Sequence, residues 1–195
     1  MARLATPEDF ESGSLYTKYW RFPFFSQRAD RITGLFPSPG KILVAGCAVG
    51  YLVDELIKRG YDAWGCDASQ YIVDRSVTDL PQSTANRVIL ADCRVASELD
   101  GLRSTCGLRG KQKFGLIITE EMLTALSDDT EVAEVLTQLR IVGRNLFHIV
   151  ACADRNDDVQ MRGRLSGLLW YSLSEWKQRV GHDDRVLNSE TWEIE

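Results

Sequence analysis

Apolar residues in this chain come in short runs whose period alternates between that of a strand and that of a helix. Residues 41–45 (KILVA) form an apolar run entering Gly46, and residues 51–59 follow with Leu52, Leu56 and Ile57 at helical spacing. Strand, tight turn and helix are the elements expected there. Gly60 stops that helix, and residues 61–66 read as a second strand ending at Asp67. Residues 69–77 suit a short helix opened by Ser69. Pro81 marks a turn before a third strand at 87–91 (RVILA), which ends at Asp92. A weak helix and a glycine-containing loop are expected over 97–113, then a fourth strand at 114–119 (FGLIIT). Asp128 and Asp129 open a helix with Val132, Val135, Leu136 and Leu139 on its apolar face, and Gly143 closes it before a fifth strand at 145–152. A helix at 173–180 and two short runs, 185–187 and 191–194, complete the pattern, the last two as a terminal antiparallel hairpin.

Five strands alternating with helices over short connections predict an α/β fold. Parallel neighbours need a crossover, and that crossover is right-handed, so the expectation is one Rossmann-like, doubly wound, mostly parallel sheet with helices on both faces. Residues 41–195 form that domain, and residues 1–40 form a helical and aromatic cap segment. At 195 residues the chain is long enough to bury one core without disulfides or metal.

Composition narrows the function classes. A net charge of -5, without blocks of like charge, argues against a broad nucleic-acid face. No apolar run reaches the roughly 20 residues of a membrane span, and the first residues carry charges where a signal peptide is apolar, so a cytoplasmic protein is expected. The five cysteines include no CxxC pair and read as reduced thiols. The basic stretch Arg103, Arg109, Lys111 and Lys113 is read first as a solvated loop, with a nucleic-acid or protein substrate left open.

The chemical signal is concentrated at strand ends. Gly46 and Gly50 permit a sharp turn after the first strand and close approach of a ligand to Gly46, Cys47, Ala48 and Gly50. Asp67, 21 residues after Gly46, can accept hydrogen bonds from the two ribose hydroxyls of a nucleoside, with Ala68 beside it. Asp92 and Cys93 close the third strand at the same edge, where Asp92 can accept from an adenine amino group. The dinucleotide fingerprint asks for glycine two residues after Gly46, and Ala48 stands there, which argues against a nicotinamide oxidoreductase.

Residues 41–67 resemble motif I and the acidic second-strand end of the class I S-adenosylmethionine-dependent methyltransferases, of the type V-L-D-x-G-C-G-x-G followed by G-x-D-x-S. Gly46, Cys47, Gly50, Gly65, Asp67 and Ser69 match. Leu90-Ala91-Asp92, residues 114–126 and Ser174-Glu175-Trp176 extend the similarity to roughly residues 16–180. The chain departs from the pattern at Val44, Ala48, Gly115 and Ala125, which stand for an acidic residue, a glycine, an aspartate and a histidine.

The resemblance implies S-adenosylmethionine as cofactor and methyl transfer as the activity, with a small-molecule acceptor favoured because the chain is acidic and lacks an N-P-P-Y or D-P-P-Y motif. A second reading keeps the fold as a cofactor-binding or partner-binding protein without turnover. The resemblance also places Thr119, Glu120 and Glu121 near the reacting methyl. Glu120 or Glu121 is then a candidate to hold the amino-acid end of the cofactor, to orient a substrate amine or to take its proton. The aromatic segment 16–25, with Tyr16 and Tyr19, is expected either to close over the cofactor or to cover the sheet, and Arg21 or Arg28 to meet a carboxylate on cofactor or substrate. His148 reads as a structural strand residue, and Trp170, Tyr171 and Trp176 as parts of a packed helix or of a site wall.

Overall fold

The computed structural model describes residues 24–150, 169, 171–181 and 183–188. The element order is α1 (Phe24–Leu35), β1 (Ile42–Ala45), α2 (Tyr51–Lys58), β2 (Ala63–Asp67), α3 (Gln70–Asp79), α4 (Gln82–Ala85) and β3 (Val88–Leu90). It continues with α5 (Ala96–Thr105), β4 (Leu116–Glu120), a 3-10 turn (Leu123–Ala125), α6 (Asp129–Val142), β5 (Leu146–Val150), α7 (Leu173–Val180) and β6 (Arg185–Asn188). The strands form one sheet in the order β3-β2-β1-β4-β5-β6, and every neighbouring pair is parallel. The direction of winding reverses between β1 and β4, so their carboxyl ends flank the crevice where open sheets of this kind take ligands.

Side chains alternate across the sheet. Leu43, Ala45 and Ile117 face a core built with α5, α6 and α7, into which Leu102, Val135 and Trp176 project. Ile42, Val44, Leu116 and Ile118 face the other core, packed by Ile32 of α1, Leu52 and Leu56 of α2, and Ile72 of α3. Both faces are therefore covered, which is why these strands read as continuous apolar runs. In the described part of the amino-terminal segment, α1 packs beside α2 on the latter face of the sheet.

Local chemistry sets the helix ends. Asp128 caps α6 by accepting from the Glu131 amide at 3.0 Å. Ser172 and Glu175 form a reciprocal capping box at α7. Residues 185–188 run parallel to β5, as the outer strand among the described residues, because α7 supplies the crossover that a parallel neighbour needs. The other arm of the expected hairpin, 191–194, lies outside the described residues.

Packing also explains one departure from the family pattern. A Cβ at Gly115 would lie 1.5 Å from the Pro39 carbonyl oxygen. No aspartate fits there.

Candidate cofactor site

The turn after β1 has alternating left-handed residues: Gly46 at φ 68°, Ala48 at φ 46° and Gly50 at φ 98°. The glycines are required by packing as well as by φ. A Cβ on Gly46 would meet Met122 Cβ at 2.6 Å, and one on Gly50 would meet Val88 Cγ2 at 2.7 Å. Ala48 has no such latitude, and a left-handed alanine is strained. Among the described residues only one other non-glycine has positive φ, Glu121 at 53°. Both strained residues lie at the ends of the strands flanking the crevice, as strain at functional sites often does.

Asp67 joins this turn to the end of β2. The Ala48 amide donates to its Oδ2 at 3.1 Å, and the Ser69 amide donates to Oδ1 at 2.9 Å. Burial pushes its pKa above the ordinary aspartate value, against the amides of Ser69, Ala48 and Ala68, which favour the ionised form. An ionised carboxylate offers about four acceptor positions, so those not taken by the amides suit ribose hydroxyls. Cys47 is buried against the turn, its thiol donating to the Ala48 carbonyl at 3.2 Å and occupying the space that a side chain at Gly65 would need.

Asp92 lies at the same edge, but its carboxylate is already engaged. Arg94 donates through Nε to both oxygens at 2.9 Å and through Nη2 to Oδ2 at 2.6 Å, and the Arg94 amide adds a bond to Oδ1. Burial opposes ionisation here, yet Arg94 outweighs it and Asp92 falls below its usual range. An adenine amino group would have to share this carboxylate. Arg94 also reaches Glu131 at 3.2 Å. The sequence reading missed this arginine, although its place two residues after Asp92 was the available signal. Cys93 is buried with its Sγ 3.5 Å from that of Cys66.

At the end of β4, Glu120 and Glu121 converge on one guanidinium. Arg28 of α1 donates to Glu120 Oε1 at 2.5 Å and to Glu121 Oε1 at 2.8 Å. Arg28 is thus paired with the chain's own carboxylates, Glu120 and Glu121. Burial raises the Glu120 pKa to about 7, more than the charge of Arg28 lowers it. Thr119 does not present its hydroxyl to the rim. It is fully buried, on the other sheet face, 2.9 Å from His148 Nδ1. His148 in turn lies 3.5 Å from Asp184, which accepts from Arg140 at 2.6 Å. That chain ties β4, β5 and α6 together and gives His148 its structural role.

Trp176 is buried and meets Tyr171 edge-on at 5.1 Å, the arrangement of a packed helix. The basic stretch is partly tied to the protein itself, since Arg103 donates to the Gly110 and Gln112 carbonyls and Lys113 to that of Arg140. Tyr16, Tyr19, Arg21 and Trp170 lie outside the described residues. Phe25, at the end of the aromatic segment, packs on Tyr51 at 5.6 Å between ring centroids. Among the described residues no helix is long and apolar enough to cross a membrane, and no three His, Cys, Asp or Glu side chains are grouped to hold a metal ion.

No family model and no curated protein matches the sequence. Solved structures do resemble the fold. A Pyrococcus horikoshii protein aligns with a TM-score of 0.55 at 14% identity over 82% of this chain and 65% of its own. DesVI of Streptomyces venezuelae aligns at 0.51 and 15% identity, over 73% of this chain and 55% of its own. CalS10, an amino pentose methyltransferase from Micromonospora echinaspora solved with S-adenosylmethionine bound, aligns at 0.51 and 14% identity, over 75% and 57%. The chain therefore spans little more than half the length of DesVI and CalS10. It has the fold of the class I S-adenosylmethionine-dependent methyltransferases.

Proposed function

We propose that this protein binds S-adenosylmethionine at the β1–β4 crevice and transfers its methyl group to a small-molecule acceptor. The observation that carries the reading is the bond from the Ala48 amide to Asp67, which puts the strained turn and the ribose-type carboxylate on one rim. The sheet order is shared with dinucleotide-binding folds. The turn separates the two, because its last glycine is Gly50, as in the methyltransferase pattern, and Tyr51 stands where the dinucleotide fingerprint has its third glycine.

In the reaction the acceptor's lone pair forms a bond to the methyl carbon, the carbon–sulfur bond breaks with its electrons going to sulfur, and the acceptor gives up a proton. S-adenosylmethionine supplies a methyl group that is already activated. The chain's task is to align the two partners and exclude water. Asp67 fixes the ribose, the turn at 46–50 supports the nucleoside, and Glu120 and Glu121 keep the far side of the crevice anionic beside a cationic sulfonium. A small acceptor agrees with the acidic net charge, with the absence of an N-P-P-Y motif, and with the amino pentose named for CalS10.

Calorimetry with S-adenosylmethionine, S-adenosylhomocysteine and NAD tests the reading. Binding of either sulfur nucleoside, with NAD inert, is the expected result. Failure of both to bind removes the proposal. Binding without consumption of the methyl donor across a panel of amino sugars, other amines and phenols would leave a binding protein.

A further inference from the structure

Among the described residues β3 is the outermost strand on one side of the sheet. Gly65 of β2 donates its amide to the Arg87 carbonyl at 2.8 Å, and Ala91 donates its amide to the Asp67 carbonyl at 3.0 Å. With Val88 in register with Gly65 and Leu90 with Asp67, a parallel ladder turns the backbone groups of residues 87, 89 and 91 towards β2. The N–H and C=O groups of Val88 and Leu90 therefore point away from the sheet, and among the described residues they have no hydrogen-bond partner.

An open edge of this kind is a template for another strand, and proteins usually blunt it with a lysine, a proline or a bulge. Val88, Ile89 and Leu90 are all apolar. Leu90 is 45% exposed and Val95, in the loop after it, 38%, whereas Val186 and Leu187 of the opposite outer strand, β6, are fully buried. Val77, 57% exposed, lies on α3, which packs beside β3. Three of the four large apolar side chains exposed among the described residues thus belong to β3 or to segments next to it, the fourth being Ile141.

The edge is complementary to itself. Antiparallel pairing of two copies about a two-fold axis at Ile89 sets Val88 opposite Leu90 of the partner subunit, so that their outward groups exchange about four hydrogen bonds in all. Leu90 then packs on Val88 of the partner subunit on one sheet face, and the two Ile89 side chains meet on the other. Charge agrees with this register. Arg87 shares the single carboxylate of Asp62 with Lys41, which leaves its end of the strand positive. At the far end Asp92, Glu98 and Glu131 surround Arg94 and leave a net negative charge. The axis brings these opposite ends together.

We propose that the β3 edge joins two copies of this chain into a dimer with one continuous sheet. Each copy offers the other the same surface, so the contact closes on itself. Because the paired strands run in opposite directions, the two crevices open on opposite edges of the joined sheet and both stay accessible. The dimer is independent of what the crevice binds.

Sedimentation velocity over a wide range of concentration reads the mass. The native chain is expected to approach twice its 22.0 kDa as concentration rises. Leu90→Lys and Leu90→Pro should stay monomeric, since one places a charge in the pairing and the other removes an outward N–H that β2 does not use. Ile141→Lys, on α6, should dimerise as the native chain does. Far-UV circular dichroism shows that the variants keep the fold. Ile89→Cys tests the register without disrupting it. Its two cysteines face each other across the axis at about 4.5 Å between Cα atoms, and diamide should link them into a covalent dimer that reductant reverses. A native chain that is monomeric at every concentration would overturn the pairing. So would a dimer that survives both substitutions at Leu90, or an Ile89→Cys chain that forms no cross-link.

Discussion

Asp67 and Asp92 occupy equivalent places at the ends of successive parallel strands, yet the fold gives them opposite surroundings. Asp67 is held by the amides of Ala48 and Ser69, and burial raises its pKa. Asp92 is clasped by a neighbouring guanidinium, and its pKa is lowered. Amides hold a carboxylate in place without cancelling its charge, so Asp67 stays available to a ligand. An arginine fork offsets the charge and engages both oxygens, so the Asp92 carboxylate is bound to the loop that leads into α5.

The sharpest test of this contrast is the pair Asp67→Ala and Asp92→Ala. Asp67→Ala should remove at least one charge-assisted bond to the ribose, about 1.5–3 kcal/mol, and weaken S-adenosylhomocysteine more than tenfold in calorimetry. Asp92→Ala should change that affinity by less than about threefold. Equal losses would break the comparison, because both carboxylates would then be ligands.

Arg94→Ala is expected to act on stability. It leaves Asp92 facing Glu131 with no shared cation, and since the network is about one-fifth exposed, a loss of about 1–2 kcal/mol in denaturant unfolding is expected. If affinity for adenosine rises at the same time, Asp92 is an adenine contact that Arg94 normally restrains.

Ala48→Gly probes the turn that holds Asp67. Relief of left-handed strain, about 1–2 kcal/mol, is offset by the added freedom of glycine in the unfolded chain, about 0.4–1 kcal/mol. A net gain of about 0.5–1 kcal/mol should appear as a higher melting temperature. A loss would mean that the alanine methyl group makes a packing contribution larger than the strain.

The smallest effect is in pH dependence, and its sign differs between the two residues. Asp67 binds its proton more tightly folded than unfolded, so its ionisation costs stability as pH rises through the ordinary aspartate value towards the higher folded one. Asp92 is the reverse: its contribution is present above the unfolded pKa and is lost as pH falls through the lower folded one. Melting curves at about pH 6 and about pH 3 should show Asp67→Asn gaining and Asp92→Asn losing stability, relative to the native chain, at the higher pH. Shifts of the same sign would show that the two environments are not opposed.

Much of this fold was legible because periodicity and punctuation are local. The runs 41–45, 61–66 and 114–119 had to be strands between helices, and Asp128 and Gly143 marked helix boundaries through capping chemistry that spans only three or four residues. The spacing from Gly46 to Asp67 likewise fixed the rim on which both would lie, because one βαβ unit has a nearly constant length. Side-chain partnership was decided only in three dimensions. Arg28 lies 92 residues from Glu120, Asp184 lies 36 from His148, and Pro39 excludes a side chain at Gly115 from far along the chain. Hydrogen bonds, ion pairs and steric exclusion act over a few ångströms of space, and no pattern along the sequence records which distant residues the sheet will bring that close.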